Sequence, residues 1–421
     1  MKTLRLITFA LITVFFIAPT STATAQPPAE SLPRPYLQAP LVKPTGIDLD
    51  VTYISRTPLY NPYAVRYTAD LQPYLEPGTE NDQRWPSPGE LVTFTAHIIN
   101  KGTIDSGSFA FKWFVDGVEV AAGTHTALSP NQEATETYQW AWAHTSNGEQ
   151  LLGEHTIKFL VDPSNTISET YETNNFIEDR TDAISLFLAV TPEAHAALET
   201  PVDAQWPFSA EDWLQKQIAA MNAAFARSIY PSLPNGIVER VRLDTILITP
   251  SAPETDMNLD GGFFVNGDDR QGNPYYDPVN DVSGALIHEL THQLGIIDTY
   301  NLDVGLEVPQ VLDQFGQPVQ MEYLSGDLFP GLMGSPGIRP PIYDEHTAFA
   351  LNVNKGYRRH YFGEYLYDVA EQVYLQVLDN QGEPAAGVTV KLYQRSDGPA
   401  LYGSSMGTFD NTPEIVGVTD E

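Results

Sequence analysis

Apolar and polar residues alternate in short stretches through the first half of this 421-residue chain, and turn residues bound each stretch. Alternation with a period of two is typical of strands that bury one face, and several such strands in succession predict a two-sheet β-sandwich. The predicted strands are 49–54, 91–99, 109–115 and 155–161. Between them, Asn100–Gly102 and Asp116–Gly117 have the composition of hairpin turns.

A different pattern begins near residue 183, where continuous apolar runs flank a stretch with helical periodicity. The runs 184–190 and 241–249 predict buried strands, and 262–265 predicts a short edge strand. Ser209 is a candidate helix N-cap, and the amphipathic helix that follows has apolar residues at helical spacing: Leu214, Ile218, Met221 and Phe225. A closing helix is predicted at 343–352. This segment therefore mixes strands and helices, unlike the all-β first half.

The candidate chemistry of the chain lies in a helix predicted at 281–292. His288 and His292 are four residues apart and share one helix face, so two imidazole nitrogens can hold one zinc ion. Glu289 is placed to act as general base toward a zinc-bound water, and Asp298 can return as a third ligand after a turn at Gly295. The opposite face is apolar, with Leu286, Leu290 and Leu294. Three protein ligands and an open position are typical of catalytic zinc.

Three other interpretations of this helix remain open. In the first, the helix is a buried core element whose two histidines are satisfied by hydrogen bonds. In the second, a fourth protein ligand closes the site and makes the zinc structural; the candidates are His346, Glu322 and Glu345. In the third, the site is catalytic but Glu322 or Glu345 replaces Asp298 as the third ligand.

The eleven residues from His288 to Asp298, in the pattern HExxHxxGxxD, resemble the metzincin zinc proteases in their snapalysin-like form, which has Asp as third ligand. The resemblance covers about 183–366 and implies a methionine-containing turn beneath the metal, for which the chain offers Met333. The chain departs from the family pattern by an insertion at 300–330. It also lacks the tyrosine that follows the methionine closely, and Tyr343 is the nearest later candidate for a transition-state role.

The first half of the chain resembles the CARDB module, an immunoglobulin-like domain of bacterial extracellular proteins. The resemblance spans most of 46–182 and rests on Asn100–Gly102, Trp113–Gly117 and Val161–Asn175. It implies adhesion, for which the partner would be a cell-surface or matrix polymer. Four polar residues near its end either bind a cation or satisfy the backbone of the last hairpin, and the second interpretation is favoured. They are Glu169, Glu172, Asn174 and Asn175.

The two ends of the chain differ from its centre. Residues 1–25 have the charged start, short apolar run and small-residue cleavage site of a secretory signal peptide, and 26–45 form a proline-rich linker. Alternating strands predicted at 373–382 and 387–393 resemble the opening of a carboxypeptidase-regulatory-like or bacterial Ig-like sandwich. Because 367–421 is short for such a module, a truncated module is expected.

Charge and composition narrow the possible partners. A formal net charge of −32 argues against binding to nucleic acid or anionic membranes. The absence of cysteine means that a secreted protein of this sequence relies on its cores, bound metals and prolines for stability. An acidic segment with Asp256, Asn258 and Asp260 matches the first half of an EF-hand calcium loop, although it can equally be an acidic surface turn.

The sequence therefore predicts a multidomain, secreted protein without a membrane span. An all-β Ig-like sandwich is followed by an α+β metzincin-like zinc protease domain and a partial β-sandwich. The predicted function is zinc-dependent hydrolysis of protein or peptide substrates, with Ca²⁺ as a second candidate ion. The alternative is an extracellular adhesion protein whose zinc domain is inactive or structural.

Overall fold

A computed structural model describes most of the chain between residues 45 and 420. The described residues are 45–58, 65–67, 73–75, 86, 88–143, 155–199, 209–252, 262–267, 270, 272–299, 315–317, 330–335, 337–353, 375–393 and 412–420. They divide into two compact units, the larger with 45–297 and 331–353 and the smaller with the remainder. The predicted signal peptide, most of the linker, the candidate calcium loop at 256–260 and most of the 300–330 insertion lie outside the described residues.

The first part of the larger unit consists of two antiparallel sheets, as the alternating pattern predicts. One sheet has the order β1-β4-β7 and the other β6-β5-β8-β9, beside a separate β2-β3 pair. The strands are β1 (Leu49–Thr57), β2 (Val65–Tyr67), β3 (Pro73–Leu75), β4 (Leu91–Asn100), β5 (Phe109–Val115), β6 (Val118–His125), β7 (Glu133–Ala141), β8 (Thr156–Val161) and β9 (Phe176–Arg180). The sandwich core contains Phe94, Trp113 and Phe159, all fully buried. Burying these large rings supplies much of the driving force for packing the sheets.

The two predicted hairpin turns have different outcomes. Asp116 and Gly117 have φ of +50° and +74° and join β5 to β6, as a two-residue hairpin requires. The prediction at Asn100–Gly102 is wrong, because β4 and β5 lie in different sheets. The Asn100 side chain instead holds a crossing loop: it donates to the carbonyls of Ile104 and Leu128, at 2.9 Å each.

The second part of the larger unit is the predicted mixture of strands and helices. A parallel sheet has the order β11-β10-β12, so β12 is an edge strand as expected. The elements are β10 (Ile184–Val190), α1 (Pro192–Leu198), α2 (Ala210–Arg227), β11 (Val241–Ile248), β12 (Gly262–Val265), β13 (Tyr276–Asp277), β14 (Val282–Ser283), α3 (Gly284–His292) and α4 (Glu345–Val353). The helix with the zinc motif begins at Gly284 and not at Asp281, because the two residues before it pair with β13.

Helix α2 is more deeply buried than its amphipathic pattern predicts. Its apolar positions are buried, and Gln215, Lys216 and Gln217 are also buried. The Gln215 side chain donates to the backbone carbonyl of Thr52 in β1 at 2.7 Å, so the sandwich covers part of the polar face. One continuous apolar core runs from the sandwich into the α+β part. The two parts are therefore packed together and not joined by a tether alone.

The smaller unit contains one strand pair, β15 (Thr389–Leu392) with β16 (Ile415–Val418). The predicted strand at 387–393 is confirmed over its central residues. The described part of the predicted strand 373–382 is not a strand, apart from an isolated bridge between Leu378 and Pro384. The Asp379 carboxylate accepts hydrogen bonds from the amides of Gln381 and Glu383, which stabilises a turn in its place. None of the described helices combines the length and apolarity that a membrane span requires.

Candidate metal centre

The start of α3 is fixed by polar contacts with α2. Ser283 is the N-cap and accepts a hydrogen bond from the amide of Leu286 at 3.2 Å. The Ser283 amide donates to Oε1 of Gln217 at 2.8 Å, and Nε2 of Gln217 donates to the carbonyl of Asp281 at 3.1 Å. One glutamine side chain therefore sets the point at which α3 begins.

Asp281 is a second anchor at this point. Its carboxylate is fully buried and accepts from Nε1 of Trp213 at 3.0 Å and from the hydroxyl of Tyr276 at 2.7 Å. Lys216 adds an ion pair at 3.3 Å. Burial lowers the pKa of Lys216, and the charge of Asp281 opposes that shift. These contacts hold the start of α3 against α2, and a precise metal site requires such support.

The predicted zinc residues lie together on α3. His288, Glu289 and His292 form a cluster whose potential ligand atoms lie within 4.8 Å of one another. The two imidazole rings are perpendicular, with centroids 4.9 Å apart. Both histidines are buried, whereas Glu289 is partly exposed. Helical spacing brings these groups together, as the sequence predicts.

Backbone carbonyls orient both rings. Nδ1 of His288 lies 2.9 Å from the carbonyl oxygen of Leu332, and Nδ1 of His292 lies 2.6 Å from that of Ile296. Because a carbonyl oxygen can only accept, each Nδ1 donates a proton, and in the neutral ring Nε2 is then the nitrogen with the lone pair. Neutral imidazole with its second nitrogen bonded to a carbonyl is the usual form of a metal-ligating histidine. The donor set therefore fits zinc.

The turn that supplies the carbonyl of Leu332 is the predicted methionine-containing turn. Met333 is fully buried within it. The Leu332 amide donates to the carbonyl of Ile342 at 2.8 Å, and the Ser335 amide to that of Gly331 at 2.8 Å. A Cβ on Gly331 would lie 2.4 Å from the amide nitrogen of Asp344, so only glycine permits this close approach.

The remaining ligand candidates are placed differently. Gly295 has φ of +85° and makes the sharp turn predicted after α3. Asp298 is buried and belongs to the smaller unit, and its role as third ligand stays a prediction. Glu345 and His346 are exposed and outside the described cluster, and Glu345 accepts from the Ser232 hydroxyl. Glu322 lies outside the described residues.

Tyr343 supports α3 from the core side. It is fully buried, and its hydroxyl lies 2.7 Å from Oγ1 of Thr291. Its ring centroid is 5.2 Å from that of Phe225, and its amide donates to Oγ of Ser228 at 2.9 Å. Burial raises the pKa of Tyr343. This placement supports a packing role and gives no support to a transition-state role.

A second cluster lies where the sandwich meets α1 and α2. Nε2 of His195 lies 2.7 Å from Glu211, and Nζ of Lys101 lies 2.6 Å from Glu211 and 3.2 Å from Glu199. Burial alone would raise the pKa of Glu211, but the hydrogen bond with His195 and the charge of Lys101 lower it to about 2. Sequence reasoning missed this cluster, because Lys101 reaches Glu199 and Glu211 across 98 and 110 residues of chain.

The acidic hairpin of the sandwich satisfies backbone groups, as the favoured interpretation predicts. Glu169 accepts from the amide of Leu49 at 2.5 Å, and Asp48 accepts from that of Tyr171 at 3.1 Å. Neither Asp48 nor its pairing with the last hairpin was identified from the sequence, since more than one hundred residues of chain separate them.

The comparisons with known proteins concern the sandwich. Residues 68–179 match the CARDB family. A CARDB domain from Pyrococcus furiosus, in complex with di-metal ions, is 21% identical and covers 32% of this chain and 89% of its own, with a TM-score of 0.20. A domain from Methanosarcina acetivorans, provisionally described as part of a cell surface protein, is 25% identical and covers 31% of this chain and 86% of its own, also with a TM-score of 0.20. No curated protein matches the chain. The family match identifies residues 68–179 as a CARDB domain, as the resemblance implies.

Proposed function

We propose that this protein is a secreted zinc endopeptidase whose catalytic centre is formed by His288, Glu289 and His292. One observation carries the proposal: both Nδ1 atoms are bonded to backbone carbonyls, which directs the lone pair of each Nε2 outward as a donor. A histidine that only packs in the core does not require an Nδ1 bond to a carbonyl. Here two neighbouring rings, with centroids 4.9 Å apart, both make this bond. Glu289 in the same cluster adds the base that hydrolysis requires.

The residues of the cluster would have separate roles. His288 and His292 would hold zinc through Nε2, and Asp298 would be the third ligand. When bound, zinc acts as a Lewis acid that lowers the pKa of a coordinated water and polarises the scissile carbonyl. Glu289 accepts a proton at its carboxylate and passes it to the leaving amine, a task that suits a partly exposed carboxylate next to the ligands.

An extended peptide is the class of substrate that suits the surroundings of α3. The helix contacts β12, which is the edge strand of the parallel sheet. An edge strand presents backbone donors and acceptors that an extended peptide can pair with. The substrate would then bind by main-chain hydrogen bonds beside the cluster, with its scissile bond near Glu289.

The second candidate function is extracellular adhesion with an inactive or structural zinc domain. The CARDB domain at 68–179 favours placement outside the cell and a surface or matrix polymer as partner. A structural zinc site needs a fourth protein ligand, and neither Glu345 nor His346 joins the described cluster. We therefore favour catalysis, with the sandwich as an additional binding module.

Replacing Glu289 by Gln tests the proposal. Hydrolysis of casein by the full chain should fall by roughly 10²–10⁴-fold, because the general base is lost, while zinc content measured by mass spectrometry stays unchanged. Glu193→Gln, at an exposed position of α1, is the matched control and should keep full activity. Near-parental activity of Glu289→Gln, or hydrolysis that a zinc chelator does not stop, would reject the peptidase.

A further inference from the structure

We propose that three residues at the end of α2 position the zinc ligand His288, by way of the methionine-containing turn. They are Arg227, the last residue of the helix, its C-cap Ser228, and Tyr230, and together they are called the α2 terminus. They act through the backbone of other residues, so they are positioning residues and neither ligands nor bases. Only what is said here of zinc rests on the proposed function.

The α2 terminus holds one backbone segment by three hydrogen bonds. Nη2 of Arg227 donates to the carbonyl of Pro341 at 3.1 Å. The amide of Tyr343 donates to Oγ of Ser228 at 2.9 Å, and the hydroxyl of Tyr230 donates to the carbonyl of Tyr343. Because the three bonds fall within three residues of chain, they fix the path of this segment against α2.

Ser228 makes the most demanding of these contacts. It is fully buried, and its Oγ donates to the carbonyl of Ala224 at 2.8 Å while it accepts from the amide of Tyr343. A hydroxyl can serve both groups because it has a proton and lone pairs. Alanine would leave the buried amide of Tyr343 without its acceptor, and such a loss shifts a local equilibrium by about 5–150-fold.

Two further bonds connect this segment to His288. The amide of Leu332 donates to the carbonyl of Ile342 at 2.8 Å, and the carbonyl of Leu332 lies 2.9 Å from Nδ1 of His288. Ile342 lies between Pro341 and Tyr343, which the α2 terminus holds. The position of the carbonyl that orients His288 therefore depends on the α2 terminus.

His292 is oriented in a different way. Its Nδ1 lies 2.6 Å from the carbonyl oxygen of Ile296, only four residues further along the chain. This contact does not pass through the segment that the α2 terminus holds. A change at the α2 terminus should therefore act on His288 and spare His292, whereas a general loss of stability would act on both rings.

The end of α2 is itself fixed to the parallel sheet. The side-chain amide of Asn222 bonds both the amide and the carbonyl of Val241 in β11, at 2.9 Å each. The amide of Ile237 donates to the carbonyl of Phe225 at 3.0 Å, which ties the following loop back to the helix. A contact that orients a metal ligand requires a support that is held in this way.

Proton exchange at the two imidazole rings of the metal-free full chain tests the proposal without zinc or activity. With isotope-labelled histidine, NMR at constant pH measures the exchange rate of the Nδ1 proton in His288 and in His292. Ser228→Ala should speed exchange at His288 by about 10-fold and leave His292 unchanged. Equal acceleration at both rings, or none at His288, overturns the proposal.

Ser106→Ala is the matched control. The Ser106 hydroxyl is also buried, accepts from the amide of Leu128 at 2.9 Å and donates to the carbonyl of Gly107 at 2.8 Å, but it lies in the sandwich. Its loss should change neither ring. Where Ser228→Ala does not fold, Tyr230→Phe should speed exchange at His288 alone by about 2–10-fold, the contribution of one ordinary hydrogen bond. No change at His288 in Tyr230→Phe would then overturn the proposal.

Zinc affinity tests the consequence for the proposed centre. Competition with a chelator should give Ser228→Ala a Kd for zinc about 10-fold above the parental value, as for other groups that orient a ligand, while Ser106→Ala keeps the parental value. A parental chain that binds no zinc would reject the zinc centre, and the exchange rates would still decide whether the α2 terminus positions His288. An unchanged Kd in Ser228→Ala overturns its role in positioning a ligand.

Discussion

Two clusters in this molecule have similar donor groups and differ in what satisfies them. Within the described residues, the trios that could hold a metal are His288, Glu289 and His292 on α3, and His195, Glu199 and Glu211 beside the sandwich. In the second trio, the ammonium of Lys101 already lies between the two carboxylates. In the first trio, backbone carbonyls bond both imidazole rings. A set of potential ligands therefore does not by itself define a metal site.

The orientation of the imidazole rings gives the second difference. On α3 the carbonyls bind Nδ1, so Nε2 is the donor. In the other trio, Nε2 of His195 is bonded to Glu211 at 2.7 Å, so the nitrogen that would coordinate is engaged with a carboxylate. The rings of the α3 cluster are therefore oriented as a metal ligand set requires, which supports the proposed zinc site. In the cluster beside the sandwich, the ammonium of Lys101 is the cation.

Replacing one histidine in each cluster should give the largest difference between the two clusters in zinc content and activity. His288→Ala should abolish both zinc binding and hydrolysis, because one of three ligands and its orientation are lost. His195→Ala should keep both, since that cluster is proposed to hold no metal. Zinc content and casein turnover of the two purified variants provide the measurement. Equal loss in both variants would remove the distinction between the clusters.

Asp298→Ala should lower zinc occupancy more than Glu289→Gln does, because Asp298 is the proposed ligand and Glu289 the proposed base. Asp105→Ala, at an exposed loop position, controls for the loss of a carboxylate. Zinc is measured by mass spectrometry after dialysis against a weak chelator. If occupancy stays at the parental level, Asp298 does not bind the metal and Glu322 is the next ligand to replace.

Lys101→Met should destabilise the folded chain by about 3–5 kcal/mol, since it leaves the buried carboxylate of Glu211 and the partly buried one of Glu199 without their cation. The destabilisation should lie at the lower end of this range, because His195 still bonds Glu211. Lys112→Met is the matched control: Lys112 and Glu119 form an exposed pair, and its loss should cost at most about 1 kcal/mol. Urea unfolding measures both. Similar midpoints for the two variants would show that the buried pair contributes little.

A pH profile should give the smallest effect. The folded pKa of Glu211 is about 2, well below its ordinary value of 4.5, so its ionised form is favoured in the folded state. This contribution is fully present above about pH 4.5 and is lost as the pH falls from there toward 2. The parental chain should therefore lose more stability across this interval than Glu211→Gln does. Parallel profiles would contradict the role of the ion pair.

Local signals in the sequence predicted much of the fold and the centre of the site. The spacing of His288 and His292 defines their geometry because both lie on one helix. The alternation of apolar and polar residues identified β4 and β5. This pattern is also local, because the period of two depends on each strand alone. Ser209 was recognisable as an N-cap from its own helix.

Contacts between distant segments were not predictable in this way. The carbonyl of Leu332 reaches His288 across 44 residues, and Lys101 reaches Glu211 across 110. Every residue has a backbone carbonyl, so the sequence does not indicate which carbonyl will bond a histidine. The sequence also does not distinguish a lysine that becomes buried from one that stays exposed. The contact of Gln215 with the carbonyl of Thr52 spans 163 residues and also has no local signal. The failed hairpin at Asn100 has the same cause, because the destination of the following strand depends on the whole sandwich.

Locating zinc directly would test the catalytic-centre account most decisively. Crystals of the full chain grown with zinc can be measured at the zinc absorption edge. The account predicts an anomalous peak about 2.0–2.1 Å from Nε2 of both His288 and His292, with an Asp298 oxygen as third ligand and one coordination position without a protein atom. A peak beside His195, or four protein ligands around the ion, would contradict it.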